Sequence, residues 1–261
     1  MEDEPVTKAF HRYFRLTEPR TPEDLEDVYR LRYEVYCREF HFEREEDCPG
    51  GRETDDFDNG SWHCLMHHRD TGTAAGCVRL VPAAPDGEYT ELPMERYCRD
   101  SFYDVAERPD RLDRSTVCEV SRLAVHSLFR RRHGEQHTPL GDISSLEIPP
   151  NHVRTFPLLA LSLFMSATAL ATIREKEHAF AMMEPALARI LRRAGLPAIQ
   201  VGEVQEYHGQ RAAFYIHRES AKRGIESSEL LSELYRHAYR QLSGNHQREA
   251  VREIGQMPFA A

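Results

Sequence analysis

Three short strings, far apart in the chain, hold charged residues where charge is expensive. They are Glu53-Thr-Asp-Asp-Phe-Asp58, Gly76-Cys-Val-Arg-Leu-Val-Pro82 and Cys118-Glu-Val-Ser-Arg-Leu-Ala-Val125. In the second and third, Arg79, Glu119 and Arg122 stand inside apolar runs of strand-like composition, and a buried charge demands a partner. Together with Asp55 and Asp58 they can partner one another in a single polar cluster. The chemistry such a cluster supports is proton transfer and the binding of charged substrates. Burial raises a carboxyl pKa toward neutrality, which suits Glu119 to take a proton from an ammonium, directly or through water. An Arg can hold a carboxylate bidentately, and acids can hold an ammonium. Arg32, Arg79, Asp55, Asp58 and Arg122 would then shape a pocket for an amino acid. The same residues also fit a purely internal arrangement, with Glu119 paired to Arg122 or Arg79 and an ion-pair network ordering the loop 39–60.

Direct attack by a nucleophile that such a base has deprotonated requires no covalent enzyme intermediate. Cys118 alternates to the opposite face of its strand from Glu119 and reads as core. His63, Cys64, His67 and His68 have ligand chemistry, but a strand sends His63 and His67 to one face and the other two to the reverse. Four ligands cannot converge from both faces, so no metal site is expected.

The elements that must position these residues follow from pattern. Thr21-Pro22-Glu23-Asp24 is a helix start, with Thr as cap and Pro at the first helical position. Leu25, Val28, Leu31, Val35 and Tyr36 continue it at helical spacing, with Arg32 on or near the apolar stripe. A loop rich in Glu, Asp and Gly spans 39–60. Residues 62–67 and 73–81 read as two strands joined by a turn. Residues 82–114 read as loop and 117–125 as a third strand. A basic run, Arg130-Arg-Arg-His-Gly134, follows it. A long helix is expected over 155–177, whose Leu158, Leu159, Leu161, Leu163, Phe164 and Met165 serve as core or line an apolar tunnel. Strands at 179–183, 198–201 and 212–216, a helix from Glu184 to near Gly195 and a C-terminal helix over 227–242 complete the order. The tail from Ser243 is expected to be mobile. This alternation predicts an α/β chain with a mixed central sheet flanked by helices, and one main domain over 21–220 with extensions at 1–20 and 221–261.

Bulk properties narrow the function classes. Forty-three acids against 34 bases in 261 residues give a net charge of −9, which argues against a nucleic-acid binder. Six cysteines (37, 48, 64, 77, 98 and 118) form no CxxC pair and suit a reduced, cytoplasmic protein. The N-terminus is acidic and unlike a secretory signal. The most apolar window, 156–173, is interrupted by Ser and Thr and is shorter than the ~20 apolar residues of a membrane span.

The strings resemble the signature of the autoinducer (acyl-homoserine-lactone) synthases of the GNAT superfamily. That family has an Arg on the first helix, an aromatic four residues on and a Trp six further. Glu-x-Asp-x-x-Asp, an Arg in a Gly-x-x-Arg-Leu strand and Glu-x-x-Arg in the next strand follow. Here the counterparts are Arg32, Tyr36 and Phe42, then Glu53, Asp55 and Asp58, then Arg79, then Glu119 and Arg122. Phe42 stands where those synthases have Trp. The second half, with Met183-Glu-Pro-Ala and Tyr207-His-Gly-Gln-Arg-Ala-Ala-Phe-Tyr-Ile, is more similar to long-chain N-acyl amino acid synthases and the acyltransferases associated with PEP-CTERM/exosortase systems. The resemblance implies a GNAT-like fold and an N-acyltransferase without a tightly bound cofactor, moving a long acyl chain from acyl-carrier protein to a small amine or amino acid. It implies Glu119 and Arg122 as catalytic residues, and Arg32, Tyr36, Phe42, Glu53, Asp55, Asp58 and Arg79 as substrate-binding. Arg130, Arg131, Arg132 and Gly134 would form the carrier-binding loop, its grip resting on a helix N-terminus and free N–H groups. The lipid product allows peripheral membrane contact. Two alternatives stay open: an autoinducer synthase using S-adenosylmethionine, and a non-catalytic binder of lipids or acylated amines.

Overall fold

A computed structural model describes residues 6–83, 91–130 and 155–255. The elements run α1 (Val6–Tyr13), β1 (Phe14–Thr17), α2 (Pro22–Arg32), β2 (Trp62–His68), β3 (Ala74–Pro82), α3 (Pro93–Cys98), β4 (Val117–Val125) and α4 (Ser127–Arg130). They continue with α5 (Thr155–Ile173), β5 (His178–Met183), α6 (Pro185–Arg193), β6 (Ile199–Gln200), β7 (Gln205–Glu206), β8 (Gln210–His217), α7 (Arg218–Glu226) and α8 (Glu229–Gly255).

The strands form one mixed sheet in the order β1-β2-β3-β4-β5-β8-β6, with β7 also paired to β8. Among the described strands only β4 and β5 run parallel, and their ladder is short: Val117 faces His178, Cys118 faces Ala179 and Glu119 faces Phe180. Beyond Glu119 both strands continue unpaired with each other, so the sheet splits into a V that opens away from that residue.

The two faces of the sheet carry different cargo. One face, with Cys64, Val78, Leu80, Cys118 and Val125, packs on α5 and α8 in the main core. Gly76 permits the approach of α5: a Cβ there would lie 2.8 Å from Leu163 Cδ1 and 3.0 Å from the Ala124 carbonyl. The other face buries Leu65, Cys77 and Ala124 under α2, and Val81, Val117, Phe180 and Tyr215 under the 91–116 region. It also carries His63, Arg79 and Glu119.

A bulge adjusts this alternation where it matters. Opposite β3 the register passes from Cys77↔Ala124 to Arg79↔Ser121, leaving two residues of β4 against one of β3. Arg122 takes up the extra residue with φ of 50°. Strict alternation would send it to the α5 face; the bulge keeps it with Glu119 and Ser121.

Several sequence expectations need correction. The long helix stops at Ile173, not 177, because Glu175 turns left-handed at φ 56°. Region 82–114 contains α3, started by Pro93 at its first turn. Residues 6–17 supply the sheet's edge strand: Phe14↔His68 through Thr17↔Leu65 pair β1 with β2. The C-terminal stretch is two helices. Leu231, Leu234, Ala238 and Leu242 of α8 lie in the main core, and α8 continues past Ser243 to Gly255. The apolar stripe ends at Leu242, but helix-forming Gln, Arg, Glu and Ala extend the helix without it.

Candidate active site

The site begins on α2. Thr21 caps the helix by accepting from the Asp24 amide at 3.1 Å, with Pro22 behind it. At Tyr33 the helix widens into a π segment, Tyr33–Glu39, closed by the Phe40 amide donating to Val35 at 3.1 Å. Such widenings recur at functional sites because they re-aim side chains. Here Arg32 points under the sheet, fully buried, and Tyr36 donates its hydroxyl to the Leu123 carbonyl at 2.9 Å.

The acid-rich loop is shaped by its own side chains. Asp55 caps the turn Asp56–Asp58 by accepting from the Phe57 amide at 2.9 Å, and Asp58 Oδ2 accepts from the Asp55 amide at 2.8 Å. Phe57, 1 % exposed, anchors the turn. Both aspartates therefore face the guanidinium groups.

The expected residues meet in one network. Arg32 donates to Glu53 through Nε and to both oxygens of Asp58 at 2.6 and 3.1 Å. Arg79 donates to Asp55 at 2.5 and 3.0 Å, to Asp58 at 2.8 Å and to the Ser121 hydroxyl at 3.1 Å. Arg122 donates to Glu53 at 3.1 Å and Asp55 at 3.0 Å, and lies 3.5 Å from Glu43. Three guanidinium groups are thus closed by three carboxylates, with Glu43 as a fourth. Burial alone would raise the Glu53 pKa, but Arg32 and Arg122 outweigh it and hold it at about 2. Arg32 and Arg79 likewise hold Asp58 well below the usual range against the same burial. His63, buried and 3.8 Å from Asp58, is pushed down to about 4 by burial, with Arg32 adding to it.

Glu119 departs from this pattern. It forms no ion pair with Arg79 or Arg122; its Oε2 accepts from the Met94 amide at 2.8 Å. It is 3 % exposed, and burial pushes its pKa up to about 8, with the Met94 N–H and Arg79 restraining the rise. Tyr207, whose own pKa burial raises to about 12, is electrostatically coupled to both Arg122 and Glu119. It sits at the tip of the β7–β8 hairpin, where His208 and Gly209 turn at φ 52° and 96°. His208 reaches Glu43 at 3.6 Å and packs against Phe42 with the rings tilted by 37° and their centroids 5.3 Å apart. Phe42 also lies 6.4 Å from the Tyr36 ring.

Two neighbouring cavities with shared lining residues lie beside the network. The first fills the V between β4 and β5 and is lined by Tyr36, Val120, Ser121, Arg122, Phe164, Ala181, Met183 and Arg211. The second shares Val120, Phe164, Ala181 and Met183 with it and runs on between α5, α6 and α7, past Ala167, Ala171, Leu191, Leu196 and Ile216. Of the α5 residues expected along a tunnel, only Phe164 lines these cavities; Leu158, Leu159, Leu161, Leu163 and Met165 are buried core.

The expected substrate-binding and catalytic residues therefore converge. Of the expected carrier loop, Arg130 ends α4, and Arg131, Arg132 and Gly134 lie outside the described residues. Sequence reasoning missed the Met94 amide, Ser121, Glu43, the Tyr207–His208 turn and Arg211. Leu92-Pro93, a helix start, was the available signal for the first.

Comparison with known proteins agrees with the fold. Residues 31–138 match the acetyltransferase (GNAT) domain family, a span that includes every network residue from Arg32 to Arg122. Three solved structures share the architecture. The AHL synthase LasI superposes with a TM-score of 0.56 at 13 % identity, over 82 % of this chain and 94 % of that one. BjaI, a CoA-dependent acyl-homoserine lactone synthase solved with SAM and isopentyl-CoA, gives 0.53 at 19 % identity, over 82 % and 92 %. FeeM, an N-acyl amino acid synthase from uncultured soil microbes, gives 0.51 at 13 % identity, over 84 % and 97 %. No curated protein matches by sequence. The fold is that of the GNAT acyltransferases.

Proposed function

We propose that this protein is an N-acyltransferase that moves a long acyl chain from the thioester of acyl-carrier protein to the amine of an amino acid or similar small amine. The observation that carries the reading is the placement of Glu119. It is a buried carboxyl with a pKa of about 8, on the last β4 residue that pairs with β5, and the next residue, Val120, lines both the V and its apolar extension. A thioester in the V would send its acyl chain into the apolar cavity and leave its carbonyl beside β4. Past Glu119 the backbone of β4 has no strand partner on the β5 side, so N–H groups there are suited to an oxyanion. Glu119 takes the ammonium proton, directly or through water. Glu119 passes that proton on to solvent; the neutral amine adds to the carbonyl, its nitrogen gives up its surplus proton as the tetrahedral intermediate collapses, and the departing thiolate takes up that second proton to leave as thiol. Pre-formed ion pairs around Arg32, Arg79 and Arg122 fix the wall of the acceptor side without moving during the reaction.

Acyl-carrier protein is favoured as donor by the family resemblance and by Arg189, Arg192 and Arg193, all exposed on α6. Leu187 of the same helix lines the V. Carrier proteins are acidic, and a local basic patch speeds docking even on a chain of net charge −9.

The test is incubation of the purified protein with long-chain acyl-carrier protein, pooled amino acids and S-adenosylmethionine, followed by mass spectrometry of the lipids. N-acyl amino acids are expected. An acyl-homoserine lactone would assign the autoinducer reaction instead, which shares the network but has Trp in place of Phe42. No acylated amine from either carrier protein or coenzyme A would leave only a binding role. Equal turnover of the two donors at matched concentration, or carrier kinetics indifferent to salt, would refute the carrier preference.

A further inference from the structure

The network that the sequence offers as a carboxylate-binding pocket is already satisfied. Arg32, Arg79 and Arg122 each hold carboxylates of Glu53, Asp55 and Asp58, and Glu43 adds a fourth negative charge. An acceptor carboxylate arriving there would meet compensated cations. His208 cannot supply the missing charge, because burial lowers its pKa and Arg211 and Arg122 lower it further.

Arg211 is different. It lines the V beside Tyr36, Arg122 and Glu184. Its guanidinium lies 5.7 Å from the Phe42 ring centroid. Among the described residues its Nε is buried without a hydrogen-bond partner, and no carboxylate, Glu184 included, lies within ion-pair distance of it. A buried guanidinium N–H without an acceptor is costly, and an anionic ligand would relieve that cost. Position supports this: β8 pairs Ala212 with Met183 and Phe214 with Ala181, two residues that line the V. Arg211 therefore stands at the open end of the V, where the register carries β8 past Met183.

We propose that Arg211 is the anchor for the acceptor's carboxylate, so that this site selects amino acids over simple amines. The inference rests on the acyl-transfer reading and narrows its substrate class. The carboxylate would lie against the Arg211 guanidinium at the mouth of the V, which Arg122 also lines.

Its test uses product-like probes, which need neither a donor nor the identity of the acceptor side chain. N-decanoylglycine and N-decanoylglycinamide differ only in the charge of the carboxyl end. Their affinities for the full chain and for Arg211→Met and Arg211→Lys are measured by calorimetry below the micelle concentration, with circular dichroism confirming that each variant is folded. The expected result is that the wild type binds the acid about 10- to 100-fold more tightly than the amide, the scale of one charge-assisted hydrogen-bonded pair. Arg211→Met should bind both at the amide's affinity, and Arg211→Lys should keep part of the preference. Equal affinity of the wild type for the two probes, or an undiminished preference in Arg211→Met, overturns the assignment. Failure of the wild type to bind either probe would sink the acyl-transfer reading itself, a result distinct from equal binding. A third probe tests the donor: if Arg211→Met weakens 4′-phosphopantetheine binding while keeping the acid preference, Arg211 serves the donor phosphate and the proposal is wrong.

Discussion

Replacing Glu119 by Gln should slow acyl transfer by about 10²- to 10⁴-fold, the range for losing a general base, while the protein stays folded. The structure also sets how the pH profile must change. With a pKa of about 8, only about a tenth of the molecules hold Glu119 ionised at pH 7. Wild-type kcat/KM should then climb nearly tenfold per pH unit below 8 and level off above it. Gln keeps the size and still accepts from the Met94 amide, but it takes no proton, so that inflection should vanish. The residual rate should follow ionisation of the amine alone and recover partly at high pH. The assay is thiol release from acyl donor between pH 5.5 and 9.5. Near-wild-type turnover of the variant at pH 7, or an unchanged inflection near 8, would refute the reasoning. The base would then be a water chain or the Asp55/Asp58 pair.

The same carboxyl predicts an unusual stability profile. Below its unfolded pKa, about 4.5, Glu119 is protonated in both states and contributes nothing to the pH dependence. Between 4.5 and about 8 the unfolded chain ionises while the folded one does not, so stability falls as pH rises. The ceiling on this loss is about 5 kcal/mol, from 3.5 pH units at about 1.36 kcal/mol each. Glu119→Gln should therefore match the wild type at pH 4.5 and exceed it in stability at pH 8.5. Sequence reasoning pointed the other way, since it allowed Glu119 to neutralise Arg122 or Arg79. Burial without an ion pair, only partly offset by the Met94 N–H, reverses the sign. Urea unfolding at the two pH values decides it, and a variant less stable than wild type at pH 8.5 restores the ion-pair account.

Three further outcomes are expected. Arg32→Met strips the cation from buried Glu53 and Asp58 and should cost about 3–5 kcal/mol in urea unfolding; a cost under 1 kcal/mol would mean that water replaces the guanidinium. Glu53, held at about 2, contributes stability that is complete above pH 4.5 and is lost as pH falls toward 2, up to about 3 kcal/mol; in Glu53→Gln the acid limb of the unfolding profile should flatten, and an unchanged limb would contradict the shift. Ala171→Phe fills the apolar cavity beyond Phe164 and should shift the preferred acyl donor to shorter chains in a competition assay; an unchanged preference would show that the chain lies elsewhere.

How much of this was legible in the sequence depended on where the cost of a mistake was visible. A charged residue inside a strand-like run announces its own expense, so Arg79, Glu119 and Arg122 stood out, and the acids that neutralise them followed. Period-two alternation placed Cys118 correctly in the core. By the same rule it would have turned Arg122 to the wrong face. What brings Arg122 into the site is a bulge at φ 50°, a backbone event that no residue type in Ser121-Arg-Leu123 declares. The partner of Glu119 was equally hidden, because it is a main-chain N–H, and every residue has one. Only the fold of 91–98 brings that of Met94 into reach. Arg211 was hidden for a third reason. In the sequence it is one more Arg in a strand rich in small and aromatic residues, and its significance is relational. It emerges only once Arg32, Arg79 and Arg122 are seen to be spent on Glu53, Asp55 and Asp58. Composition lists which charges exist; the structure shows which of those around the V are already matched, and the proposed substrate selection rests on Arg211, which among the described residues has no carboxylate in ion-pair reach.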